Sequence, residues 1–266
     1  MNLKEFYAQQ TEKNKELSRD IAWLFLETTH HEPTEWDTVL VTKELESQLK
    51  KSIKRLKSGE PLGYILGNVP FWDNEIVVNH NVLIPRAETE QLCELVVNEV
   101  GERAVRVLDL CTGSGCIAIA LAKKLNAEVM ATDISDEAVA LAKQNAISNL
   151  VNVDFVLGDM FEKVKGKFDV IVSNPPYISS AEYNVLPKSV KDFEPQLALL
   201  GGEDGLDFYR KIASEIKKYL KENGVVFLEV GDTQAEDVTQ IFSDFDCEIV
   251  ADYFGYNRFV IARSKR

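Results

Sequence analysis

The chain has 266 residues, 45% of them hydrophobic, enough for one large domain and a smaller one, which excludes a disordered or fibrous protein. Thirty basic residues against 43 acidic ones give a net charge of −13, which repels phosphate backbones and argues against a duplex-binding protein. Four cysteines without Cys-x-x-Cys spacing, and three histidines of which only His30 and His31 are adjacent, offer no metal-ligand pattern and no disulfide framework, so neither is expected.

From the amino terminus, residues 3–28 and 43–58 carry apolar positions at helical spacing, as in Leu17, Ile21, Leu24 and Phe25, then Leu45, Leu49, Ile53 and Leu56. They predict a small helical domain over residues 1–70. Lys50, Lys51, Lys54, Arg55 and Lys57 recur every three or four residues and read as a solvated helix face. Glycine and proline recur from Gly59 to Pro85 and Glu75 to Val78 reads as β, so a β-hairpin connector is expected over 71–86. In the remaining part, 87–266, helical patterns at 88–100, 116–125, 135–149, 206–222 and 233–242 interleave with strands. The strands fall at 105–110, 128–132, 153–157, 168–173, 224–230, 247–253 and 257–262. That alternation predicts an α/β fold, a doubly wound, seven-stranded sheet closing in a hairpin. There is no signal peptide, lipidation motif or apolar stretch of 18 residues, so no membrane association is expected and the expected compartment is the cytoplasm.

The strand at Val105–Leu110 runs into Cys111-Thr112-Gly113-Ser114-Gly115, after which Ile117 to Ala122 continue as a helix. Glycines in such a turn reach positive φ and let a ligand approach the backbone, while amides opening the helix are expected to point outward as donors. The third glycine of the dinucleotide fingerprint is missing, and no Lys-Ser or Lys-Thr follows as a phosphate loop requires. The next strand ends in Asp133, about 20 residues on, where a ribose diol is held in folds of this kind. A third strand ends at Gly158-Asp159-Met160-Phe161, an acid beside two large apolar side chains that would accept from an adenine amino group and clamp its ring.

The fourth strand, Phe168 to Val172, leads to Asn174-Pro175-Pro176-Tyr177. Read alone this is a turn after a strand, since Asn and Pro are common turn residues. Two prolines, however, remove two backbone donors and fix φ, leaving the carbonyls of Asn174 and Pro175 free to accept beside the Tyr177 ring. An amino group or carboxamide with two N–H bonds fits such a pocket, one bond to the Asn174 side-chain oxygen and one to a backbone carbonyl. Glycine turn, ribose acid, adenine pocket and acceptor motif all fall at the C-terminal ends of successive strands, the edge where open α/β sheets bind ligands. Arg86, Glu88 and Glu90 sit at the entry to this part, the two acids well placed for a helix start and Arg86 for bracing the site. The long loop through Glu194-Pro195 and Gly201–Gly205 reads as a wall or lid, and Arg258 as structural.

With these motifs the chain resembles the S-adenosylmethionine-dependent methyltransferases that act on planar nitrogen, and among them the release factor glutamine methyltransferases. The resemblance rests on residues 61–67, 82–90, 109–115, 173–178, 194–195, 202–206 and 257–260, and spans the chain from about residue 60 to its end. The related pattern usually has proline where Ala87 stands and often glycine where Cys111 stands. The resemblance implies that residues 111 to 115, Asp133, Met160 and Asn174 contact S-adenosylmethionine, with S-adenosylhomocysteine as product, and that Asn174, Pro175, Pro176 and Tyr177 hold the substrate. It implies a partner too, a peptide chain release factor methylated on the amide nitrogen of its Gly-Gly-Gln glutamine by a monomeric enzyme. The main rival reading is an adenine amino-group methyltransferase acting on DNA or RNA, because the same acceptor chemistry serves a flipped base; the acidic charge counts against it, as against any direct nucleic-acid partner. A protein that binds the cofactor without catalysis would need a broken acceptor motif, and this one is whole.

Overall fold

The computed structural model describes residues 1–265. They form two compact units, one of Met1–Asn68 with Pro187–Phe193, the other of Val69–Leu186 with the chain from Glu194 onward.

In the first unit, helices α1 (Leu3–Lys13), α2 (Ser18–Thr29), α3 (Lys43–Lys57) and α4 (Leu62–Leu66) enclose a core that includes Phe6, Leu24, Phe25, Trp36, Leu49 and Ile53. The helical spacing over 3–28 divides into two helices at Asn14. Its buried side-chain amide donates to the Gln10 carbonyl at 2.7 Å and its backbone leaves the helix at φ −141°, a local bond that competes with the helical ladder. Asn2 and Glu5 form a capping box at the start of α1, and Thr42 caps α3. The basic row of α3 is solvated at Lys50, Lys51, Lys54 and Lys57. Arg55 departs from it, turning to Glu60 with paired bonds of 2.5 and 2.7 Å.

The hairpin pairs β1 (Asn68–Phe71) with β2 (Asn74–Val77). β1 is hidden from pattern reading by Pro70, which is unusual inside a strand. The free edge of β2 is closed by two asparagines rather than a third strand. Asn145 accepts from Val77 N–H at 2.9 Å and donates to the Val77 carbonyl at 3.0 Å, and Asn149 bonds Glu75 in the same two-sided way.

The main sheet is built from α5 (Ala87–Val100), β3 (Val105–Leu110), α6 (Cys116–Lys124), β4 (Ala127–Asp133), α7 (Asp136–Ser148), β5 (Asp154–Leu157) and β6 (Phe168–Ser173). A long connection containing the short helices α8 (Ser180–Val185) and α9 (Lys188–Lys191) leads to α10 (Asp207–Tyr219), β7 (Leu220–Glu229), α11 (Ala235–Ile241), β8 (Phe245–Ala251) and β9 (Asn257–Ser264). The seven strands lie in the order β5-β4-β3-β6-β7-β9-β8, with β9 antiparallel to both neighbours. The fold is thus the seven-stranded Rossmann-like sheet that the alternation predicts. Its central strands are the apolar runs, because helices cover both faces.

The larger boundary shifts fall at α10, β7 and β8. The helix expected to reach 222 ends at Tyr219, and pairing of β7 with β6 jumps from Phe168↔Leu220 to Val170↔Val225. Gly224 permits this fold-back: a Cβ there would lie 2.6 Å from a Leu220 methyl. The strand expected over 247–253 occupies 245–251, ended by Asp252, whose carboxylate accepts from the amides of Phe254 and Tyr256. Register sets Leu110 beside Thr132 and Ser173, and Ser173 beside Leu228, so β3, β4, β6 and β7 finish together on one edge.

Candidate active site

A cleft of about 610 Å³ opens at that edge of the second unit, within the range of small-molecule and cofactor sites. Of the residues singled out in the sequence, Cys111, Thr112, Gly113, Ser114, Asp133, Asp159, Met160, Asn174 and Pro176 border it. Gly115, Pro175 and Tyr177 do not. Gly115 serves the helix start, at φ 83° with a would-be Cβ 3.0 Å from that of Ala142. Pro175 is buried and Tyr177 packs against the sheet core.

The glycine turn is tied inward more than its sequence suggests. Thr112 N–H donates to the Thr132 carbonyl at 3.0 Å, Gly115 N–H to Thr112 at 2.9 Å, and Gly113 N–H to Asp133 Oδ2 at 2.8 Å. Ser135 N–H reaches Asp133 Oδ1 at 3.0 Å. These amides aim the Asp133 carboxylate instead of waiting for a ligand, and each oxygen keeps a lone pair for a hydroxyl. Burial raises the Asp133 pKa and the backbone donors pull against it. Beneath the turn lies Asp109, fully buried and bonded by Thr112 Oγ1 at 2.5 Å, with burial pushing its pKa up to about 7. Cys111 and Met160 both occupy the left-handed region, at φ 60° and 54°. That conformation favours glycine, and gives a physical reason for the glycine common in the related pattern at Cys111.

The third loop is divided between cleft and core. Met160 borders the cleft, but Phe161 is 1% exposed and stacked on Tyr219 with ring centres 4.7 Å apart, so it belongs to the core and clamps no ligand. Asp159 is held by Lys211 of α10 at 2.5 Å, a cation that pattern reading did not connect to it.

At the fourth strand end, Asn174 Nδ2 donates to Thr89 Oγ1 at 3.1 Å, and no described residue donates to Asn174 Oδ1 or to the carbonyls of Asn174 and Pro175. Thr89 Oγ1 donates in turn to Glu229 Oε2 at 2.8 Å. Burial raises Glu229 to about 7 and the Tyr177 phenol to about 12. The Tyr177 carbonyl accepts from Gln234 at 2.9 Å, which also reaches Gly205 at 3.3 Å, so α11 and the 201–205 loop fix the turn. Thr89, Glu229 and Gln234 escaped pattern reading. Only Glu229 left a signal, an acid at the end of the apolar run Val225–Val230.

Arg86, immediately before α5, bonds Glu194 Oε1 at 2.5 Å, while Glu194 Oε2 is buried without a partner. Burial raises the Glu194 pKa and Arg86 opposes it. Pro195, Leu197 and Ala198 follow Glu194 along the cleft wall. Arg86→Ala therefore strands a buried carboxyl; with Arg86 itself partly solvated, the expected cost is about 1–3 kcal/mol, read as a lower melting temperature, with weakened cofactor binding as the wall loosens.

Among the described residues no three His, Cys, Asp or Glu side chains gather to hold a metal ion, and no helix is long and apolar enough to cross a membrane. A family model described as "Methyltransferase small domain" matches residues 74–202. The chain is 43% identical over 235 residues to a release factor glutamine methyltransferase of Thermodesulfovibrio yellowstonii, covering 85% of this chain and 84% of the relative. It is 40% identical over 233 residues to one of Lactococcus lactis, covering 85% and 86%. Among solved structures, a methyltransferase from Pyrococcus furiosus superposes with a TM-score of 0.58 at 19% identity, over 85% of this chain and all of the other.

Proposed function

The chain belongs to the release factor glutamine methyltransferase family, and on that premise we propose how its cleft methylates a release factor glutamine. The methyl donor in this reading is S-adenosylmethionine, which supplies an electrophilic methyl group on a sulfonium. The residues present fit it. Asp133, aimed by two backbone amides, takes the ribose hydroxyls; Asp159 and Met160 take the adenine, acid to amino group and thioether to ring face; the turn from Cys111 to Ser114 takes the methionine portion.

The carboxamide of the Gly-Gly-Gln glutamine enters beside Asn174. Its nitrogen is weakly nucleophilic because the lone pair is delocalised, so the protein's work is to orient that nitrogen toward the methyl carbon. Asn174 Oδ1 accepts one of its N–H bonds and a backbone carbonyl of the turn accepts the other, while Tyr177 supports the turn from the sheet core. As the C–N bond would form, the sulfonium C–S bond would break and leave S-adenosylhomocysteine; the positive charge passing to nitrogen would be bound by both acceptors more strongly than the ground state, until an N–H proton leaves to water. No base is needed before transfer. Alignment of two bound reactants contributes roughly 7–11 kcal/mol, against about 3–5 kcal/mol for a proton transfer, so positioning dominates. The enzyme acts as a monomer in the cytoplasm, where release factors work.

The observation that carries this reading is the free acceptor oxygen of Asn174 at a cleft that Asp133 also borders. With methyl-labelled S-adenosylmethionine, label is expected on a bacterial release factor and absent from the same factor with its Gly-Gly-Gln glutamine changed to alanine. Label on both, or on DNA or RNA instead, overturns the substrate assignment and leaves the methyltransferase fold.

A further inference from the structure

Two buried side chains hold the acceptor from elements distant in sequence. Thr89, in the first turn of α5, is 2% exposed, and Glu229, the last residue of β7, is 1% exposed. The backbone of Glu229 is itself fixed, since its carbonyl accepts from the Tyr209 hydroxyl at 2.8 Å. A threonine hydroxyl has one proton. An ionised carboxylate can only accept, so that proton goes to Glu229, and Oγ1 is left to accept from Asn174. The NH₂ end of the Asn174 amide must then face Thr89, and its oxygen must face away.

We propose that Thr89 and Glu229 are positioning residues for methyl transfer: ionised Glu229 sets the direction of the Thr89 hydroxyl, and that hydroxyl holds the Asn174 carboxamide with its oxygen toward the substrate nitrogen. The inference deepens the methyl-transfer reading above and rests on it. Protonating Glu229 reverses the chain. The acid proton then points at Thr89 Oγ1, the hydroxyl donates to Asn174, and the amide turns its NH₂ toward a nitrogen that offers only N–H bonds. Such a site loses its side-chain acceptor for the charge that transfer creates.

The switch falls in an accessible range. Burial raises Glu229 from 4.5 to about 7, with Thr89, Arg258 and Arg86 opposing and Glu88 adding to the rise. The other titratable groups that feel Glu229 are Tyr177, Tyr209 of α10, Cys93 of α5 and Cys116 of α6, all pushed further into their neutral forms. Ionised Glu229 is the productive form, so turnover rises with pH through about 7. The sign for stability is opposite. A carboxyl whose pKa is raised on folding stabilises below its unfolded value and loses that contribution as pH climbs from 4.5 to about 7. Glu229→Gln should accordingly fold at least as well as wild type at pH 8 while transferring worse.

The test uses the full chain with labelled S-adenosylmethionine and a bacterial release factor, comparing wild type, Thr89→Val, Thr89→Ser and Glu229→Gln from pH 5.5 to 8.5. Thr89→Val should lower kcat about 10–100-fold, with cofactor Kd and release factor KM within about threefold of wild type. Thr89→Ser, which keeps the hydroxyl, should recover to within about fivefold of wild type. Wild type should lose kcat below about pH 7. Because Asp109 titrates in the same range, Glu229→Gln assigns that limb by abolishing it. Thr89→Val at wild-type kcat, Thr89→Ser no better than Thr89→Val, or an acid limb that persists in Glu229→Gln each overturns the relay. Should Thr89→Val fail to fold, Thr89→Ser and the Glu229→Gln pH profile still decide. A wild-type enzyme that leaves the release factor unlabelled overturns the substrate reading and the relay with it, whereas an active wild type with an unaffected Thr89→Val overturns the relay alone.

Discussion

Asn174→Ala lowers the rate of methyl transfer to the release factor by about 10²–10³-fold, the scale on which one preorganised polar group acts on developing charge. In the proposed site, truncation would remove the side-chain oxygen that answers one N–H of the substrate amide and leave a backbone carbonyl of the turn to orient it alone. With one acceptor the nitrogen pivots, and the geometry that makes two bound reactants behave as one molecule is lost. The fold should survive. Asn174 is only half-buried and its one side-chain bond is to Thr89, which keeps Glu229 as a partner. A stability loss of about 1 kcal/mol is therefore expected. Single-turnover transfer at saturating cofactor, beside a thermal melt, separates the two effects. Transfer within about tenfold of wild type would mean that the backbone carbonyls suffice, and Asn174 would lose its assigned role.

Gly205→Ala should destabilise the enzyme by about 3 kcal/mol, lowering the melting temperature by roughly 6–12 °C. Gly205 sits at φ 80°, where an alanine is strained, and its new Cβ would lie 2.3 Å from the Tyr177 carbonyl and 2.5 Å from Gln234 Nε2. Neither neighbour can give way cheaply. The first is backbone of the acceptor turn, and the second is the amide that ties that turn to α11. Transfer should fall as well, since the peptide after Tyr177 must shift. Gly255→Ala is the internal control. Its φ is 90° but nothing lies within 4 Å of the added methyl, so the strain of the left-handed conformation, about 1–2 kcal/mol, acts alone and activity should be unchanged. Equal melting temperatures for the two variants would show that the turn yields to the methyl and that Gly205 is not holding Tyr177.

Much of the site was legible in the chain because its parts are local. An apolar run names a buried strand, Gly113 and Gly115 name a turn needing positive φ, two prolines name carbonyls without a ladder, and acids at strand ends name polar ligands at a sheet edge. Each inference needs only residues near one another in sequence. Boundaries escaped the pattern where a single side chain overrode it: Asn14 bonding back to Gln10 divided one helical stretch, and Asp252 gathering two amides ended a strand. Phe161 was misassigned because two apolar neighbours in a loop look alike in sequence, while only Met160 is turned to the cleft.

The chemistry of the edge was thus set by sequence alone, as a list of groups in order. The tertiary structure decided which of them touch. Asn174 meets Thr89 across 85 residues, Arg86 meets Glu194 across 108, and Thr89 meets Glu229 across 140. Those contacts depend on β7 lying beside β6 and on α5 approaching the end of β7, and strand order leaves no periodic trace in a chain. It is selected by how all the apolar faces bury at once, a property of the whole core, whereas the motifs follow from dihedral preferences and donors within a few residues.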